Sequence, residues 1–205
     1  MYSRKQYLSV LKEAEDSLAQ LDLMRARACG FGVRKVEGGG EGFTFECLGK
    51  LYTISADARD VRSEDGRPMP LIMRVVVLHY LLRGGAAGFA GEYAPLKDLP
   101  GLELYACVIQ RRSENVLARA FGPAPELLKP AAARLGGLPV SMGDAAARLF
   151  PLPKIPMIVF VNGPLEEIPA NAGALFDRSA PELLPLEDLV VLAEIVSHKL
   201  VNNIK

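Results

Sequence analysis

Tryptophan is absent from this 205-residue chain, histidine occurs twice, cysteine three times, and neither sign of charge is in excess. Each shortage excludes something. Cys29, Cys47 and Cys107 are odd in number, far apart and without a CxxC pair. That argues against a disulfide framework, structural zinc or a contained iron–sulfur cluster, and it suggests a reducing compartment. With only His79 and His198 there is no HExxH or other close pair, so no metal is expected. Basic and acidic residues balance at 24 each, which leaves no net field to draw nucleic acid or anionic lipid. The longest apolar run, Leu71 to Leu82, is broken by Arg74 and is too short to span a bilayer. Met1 to Glu15 is polar and charged, unlike the apolar centre of a signal peptide. A cytoplasmic protein is the expectation.

Half the residues are hydrophobic, enough at this length to bury a core without staples. Tyr7, Leu11, Ala14, Leu18 and Leu21 recur at spacings of four and three, one face of an amphipathic helix. A helix laid on the body is favoured over a dimer seam, for which two heptads are too few. Gly38-Gly39-Gly40-Glu41-Gly42 reads as loop. Phe43, Phe45 and Cys47 then alternate with polar neighbours, and the pattern resumes at Leu51 to Ile54, predicting a hairpin with Gly49-Lys50 as its turn. Leu71 to Leu82 reads as a helix apolar nearly all round, and so central. Further helices are expected over Leu102–Arg119, Ala124–Leu135 and a short Ala145–Leu149, with a buried strand over Ile155–Val161. Leu186, Leu189, Ala193, Val196 and Leu200 mark one face of a last helix, with Glu187 and Asp188 near its start and Lys199 near its end.

Motifs that carry chemistry are missing. Gly30-Phe31-Gly32 begins like a dinucleotide loop, but Lys35 occupies the third glycine position. Gly49-Lys50 lacks the rest of a phosphate loop, and there is no GxSxG elbow. His79, beside Tyr80 in the most apolar segment, reads first as a core histidine satisfied by a backbone carbonyl and second as a pocket wall. His198 is expected on the surface near a helix end. Cys29, with Arg25, Arg27 and Arg34 nearby in sequence, is the least implausible reactive thiol, although a structural role is favoured. Asp144 is expected to cap the segment after it, and Asp177 to hold a turn through its own backbone. Arg111-Arg112, with Glu114 behind, reads as a helix surface.

Several short motifs occur in order: Leu78-His79-Tyr80-Leu81, Leu135-Gly136-Gly137, Gly143-Asp144-Ala145, Pro153-Lys154-Ile155-Pro156-Met157, Leu175-Phe176-Asp177-Arg178-Ser179-Ala180 and Leu184-Pro185-Leu186-Glu187-Asp188. In that order they resemble a prokaryotic family of unknown function, the domain of unknown function 3786, over most of the chain after about Gly42. Some of that family resemble fusions with a four-cysteine iron–sulfur segment, which implies a setting in anaerobic one-carbon or corrinoid metabolism. This chain lacks the four cysteines, and Asn162-Gly163-Pro164 stands where a more acidic stretch is expected.

These readings combine into an α+β fold: a small, mainly antiparallel sheet holding the Phe43–Ile54 hairpin and the Ile155–Val161 strand, packed by several helices. A single domain over 1–205 is expected, with an N-terminal amphipathic helix (1–28) ahead of an α+β body (29–205). The leading functional reading is a non-catalytic module that binds a small molecule or a protein, not nucleic acid or membrane, as a monomer or weak homodimer. His79, Tyr80, Asp144 and Asp177 are its candidate ligand-binding residues, and no cofactor is identified. The alternatives are an enzyme assembled from Asp144, Asp177 and His79 or Cys29, and an oligomeric scaffold built on the first helix.

Overall fold

The Phe43–Ile54 hairpin and the Ile155–Val161 strand, expected in one small sheet, lie in two separate sheets of four and five strands. The computed structural model describes residues 4–18, 21–35, 41–85 and 87–204. The α+β class is as expected. Helix α1 (Arg4–Ser17) buries Tyr7, Leu11 and Ala14 and packs on the apolar helix α3 (Leu71–Arg83). Leu18 and Leu21 are buried too but lie beyond the end of α1. Asp22 starts a separate helix, α2 (Leu23–Ala28), by accepting the Arg25 amide on its carboxylate. The segment 1–28 therefore carries more than the one helix expected.

The first sheet is an antiparallel meander of β1 (Gly32–Lys35), β2 (Glu41–Cys47), β3 (Lys50–Ser55) and β4 (Val61–Ser63). Residues 38–40 of the glycine run lie outside the described residues, but Glu41 and Gly42 already belong to β2. The expected hairpin is present with its turn displaced by one residue. Cys47 pairs with Lys50, so Leu48-Gly49 is the turn. Both residues have positive φ, 49° and 72°, the requirement of a type I′ connection. A leucine there costs about 1–2 kcal/mol of backbone strain. Leu48 is buried, and burying a leucine side chain returns about as much or more.

The second sheet runs β5 (Tyr93–Pro95), β9 (Asn171–Asp177), β8 (Ile155–Asn162), β7 (Ala145–Leu152), β6 (Leu138–Val140), all antiparallel. The expected strand over Ile155–Val161 is its centre. The short helix expected over Ala145–Leu149 is instead strand β7: alanine favours helix only weakly, and pairing on both edges overrides that preference. Its small side chains suit the close packing of helix α6 (Leu128–Ala133). Pro156 sits where the β7–β8 register shifts between Leu149 and Leu152, a place where a missing amide is tolerated.

Helix α3 is buried nearly all round and ends on Gly84 at φ 81°, whose amide reaches the Tyr80 and Leu81 carbonyls. The helix expected over Leu102–Arg119 is not regular. It comprises α4 (Ala106–Ile109), a π-helical turn (Gln110–Glu114) and α5 (Asn115–Phe121). After the short α7 (Ala180–Leu183), α8 (Leu186–Val201) closes the chain's core. Among the described residues no helix is long and apolar enough to cross a membrane.

Candidate binding cleft

Helix α8 is apolar on more than one side. Leu189, Leu192, Ala193, Val196 and Leu200 are fully buried, and this is the face that periodicity marks. Glu187, Val190, Val191, Glu194, Ile195 and His198 form a second stripe at the same helical spacing. That stripe lines a cleft of about 1080 Å³.

Four other parts of the chain contribute walls. The hairpin turn brings Cys47, Leu48, Lys50 and Tyr52. The start of α3 adds Leu71, Ile72 and Met73, and Tyr7 comes from α1. Tyr105, Val108 and Arg112 face α8 from the opposite side. The π turn matters here, because the extra residue in its backbone loop re-aims side chains. It presents Arg112 to Glu194 at 3.3 Å and Ser113 to the buried Ser197 hydroxyl at 2.7 Å. Arg112 is thus a half-buried ion-pair partner rather than the free helix surface expected. The Tyr105 hydroxyl donates to Glu187 at 2.8 Å.

A glycine contact joins the hairpin to the second sheet beside this cleft. A Cβ on Gly49 would lie 2.7 Å from the Gly136 amide nitrogen, and one on Gly136 would lie 2.9 Å from the Gly49 Cα. Both residues hold positive φ, 72° and 70°. Gly136 of the Leu135-Gly136-Gly137 motif is therefore packed directly against the Leu48-Gly49 turn.

Basic groups outnumber acidic ones around the cleft: Arg4, Lys50, Arg112 and Lys199 against Glu187 and Glu194. Both acids are already engaged, by Tyr105 and Arg112. Burial pushes the Cys47 thiol up to about 12, only partly offset by the positive charge of Lys199 nearby. Burial likewise raises the Tyr52 hydroxyl, helped by Cys47 and Asp65. These groups stay neutral at physiological pH.

The candidate ligand-binding residues His79, Tyr80, Asp144 and Asp177, and Cys29 with them, do not line this cleft. Tyr80 is sealed in the core, its hydroxyl donating to the Cys29 carbonyl at 2.8 Å. His79 is part-buried, and its partner is a carboxylate, Asp188, not a backbone carbonyl. Cys29 lies 3.7 Å from the Tyr80 carbonyl, and burial raises its thiol to about 11 against the pull of Lys154 and Arg25. It is not an activated thiol. Asp177 does hold a turn, accepting the Ser179 amide and hydroxyl, and it also takes the Ala90 and Gly91 amides. Asp144 caps no helix; it accepts the Gly163 amide at 2.8 Å beside Asn162. Ala145 pairs with Val161 and Phe176 with Met157, so Asp144 and Asp177 sit at opposite ends of β8. Four residues of strand between these register points span roughly 13 Å.

The family model for Domain of unknown function (DUF3786) matches residues 25–199. The chain belongs to this family. The match begins in α2, well upstream of Gly42, and reaches into the last turn of α8. The family match thus takes in almost every wall of the cleft, with α1 outside it. No curated protein and no solved structure matches the chain.

Proposed function

We propose that the protein is a non-catalytic binding module whose cleft along α8 takes a small molecule. The second apolar stripe of α8 carries this reading. A helix that is buried on one face and lines an open cavity with the part-exposed Val191 and Ile195 leaves apolar surface uncovered, and that surface gains free energy when a ligand covers it. At about 1080 Å³ the cavity stands at the upper end of the range of small-molecule sites, roughly 300–1,000 Å³. Apolar walls combined with charged and hydrogen-bonding groups, as here, are what such sites offer for holding and orienting a ligand.

Neither alternative has comparable support. An enzyme built on Asp144 and Asp177 would need them in one cleft, and they occupy opposite ends of a strand. A scaffold built on the first helix would need its apolar face free, and Tyr7, Leu11 and Ala14 are buried. The family resemblance favours anaerobic one-carbon or corrinoid metabolism as the setting, with the protein acting in the cytoplasm as a monomer or weak homodimer.

Fluorescence of 1-anilinonaphthalene-8-sulfonate with the folded protein tests the reading. Saturable binding is expected for the natural sequence and its loss for Val191→Trp, which fills the cleft. Equal binding by both, or none by the natural sequence, would contradict it.

A further inference from the structure

We infer that the cleft selects an amphipathic anion, an acyl chain or ring system carrying a carboxylate or phosphate, with Lys50 and Lys199 as the groups that receive its charge. This rests on the reading of the cleft as a small-molecule site and adds the ligand's chemical class. Among the described residues no carboxylate forms an ion pair with Arg4, Lys50 or Lys199. The cleft's own acids are taken: Glu194 by Arg112 and Glu187 by the Tyr105 hydroxyl. Asp65, within electrostatic reach of Lys50, has its ion partner in Arg67 at 3.1 Å. The cavity therefore carries uncompensated positive charge on an otherwise balanced chain.

Two of the basic groups, Lys50 and Lys199, are tied to the hairpin side of the cleft. Lys50 pairs with Cys47 across the hairpin turn, and the Lys199 ammonium acts on the same Cys47 thiol. Lys50, in β3, and Lys199, in the last turn of α8, are both lining residues of the cleft. Along α8, Ile195 and Val191 lie one and two turns N-terminal to Lys199, and Ile72 and Val108 line the same cleft. A neutral apolar ligand would leave both ammonium groups without a partner, and a cationic one would be repelled. An anionic head with an apolar body satisfies both the ammonium groups and the apolar wall.

Binding of decanoate, decanol and decyltrimethylammonium, each below its micellar concentration, would be measured by isothermal titration calorimetry. The proteins are the natural sequence, the Lys50→Gln/Lys199→Gln double variant and Val191→Trp, each checked for its fold by circular dichroism. Decanoate is expected to bind about tenfold or more tightly than decanol, a difference of about 1.4 kcal/mol. The double variant should lose that preference while its affinity for decanol stays the same. Val191→Trp should bind neither. Equal affinity for all three probes in the natural sequence would overturn the anion assignment and leave the small-molecule reading standing. A preference for decanoate that survives in the double variant would remove the two lysines from the role. Decanoate binding undiminished in Val191→Trp, or no binding of any probe, would overturn both inferences. Vesicles of anionic phospholipid distinguish a lipid surface from a free ligand: flotation of the protein with them, without affinity for decanoate, would overturn the free-ligand assignment.

Discussion

His79 Nδ1 lies 2.6 Å from Asp188 Oδ2, a contact that joins the middle of α3 to the first turn of α8 across 109 positions of sequence. Both side chains are largely covered, at 24% and 12% exposure. A hydrogen bond to a carboxylate in such a place contributes more than a surface ion pair, about 1.5–3 kcal/mol, and it fixes one wall of the cleft to the central helix.

Replacing either partner should therefore destabilise the protein without touching a ligand. His79→Ala and Asp188→Ala are each expected to lose about 1–3 kcal/mol in urea denaturation. The double variant should lose less than the sum, with a coupling of about 1 kcal/mol. Additive losses would show that the contact is not what joins the helices.

The Asp177 turn gives the protein an acid-sensitive point. Burial opposes its charge, but hydrogen bonds from the Ser179 hydroxyl and from the Ser179, Ala90 and Gly91 amides outweigh burial and hold its carboxyl below the ordinary value. A depressed folded pKa means that the stabilisation is present above the unfolded value of about 3.9 and is lost as pH falls through the folded value. Asp177→Asn should thus lower stability at neutral pH and flatten its fall as pH drops below about 4. The same slope in both proteins, followed by circular dichroism, would count against this role.

Gly49 and Gly136 face each other with no room for a Cβ on either. Alanine at either position must also hold a positive φ, so each substitution is expected to cost about 2–4 kcal/mol, well above a surface change. Because the contact positions Leu48 in the cleft wall, 1-anilinonaphthalene-8-sulfonate affinity should fall with it. Unchanged melting temperatures would refute the close approach.

Thiol chemistry follows exposure. Cys107 is exposed, whereas Cys29 and Cys47 are buried and protonated, at about 11 and about 12. Iodoacetamide at neutral pH should modify the folded protein at Cys107 alone, read by peptide mass spectrometry.

How much of this was legible in the sequence depends on the range of the interaction. The faces of α1 and α8, the all-round apolar character of α3 and the alternation of β2 are local periodicities and could be read directly. The turn at Leu48-Gly49 was displaced by one residue because leucine at positive φ is disfavoured locally and is repaid only by burial against distant groups. Ala145–Leu149 misled for the same reason: its weak helical preference yields to strands on either side that lie elsewhere in the sequence. The cleft itself was half visible. Val190, Val191 and Ile195 stand in plain view as a second apolar stripe, a signal that α8 has two covered sides. What faces that stripe, and the pairing of His79 with Asp188, depends on how α3, α4 and the hairpin pack. No local pattern encodes it.

The most direct measurement is a methyl-labelled nuclear magnetic resonance titration of the natural sequence with 1-anilinonaphthalene-8-sulfonate. If the α8 cleft is the binding site, saturable shifts should concentrate on the methyl groups of Ile72, Val108, Val191 and Ile195. Shifts confined to Ile158 and Leu175, which pair in the second sheet and do not line the cleft, or no saturable shift, would contradict the account.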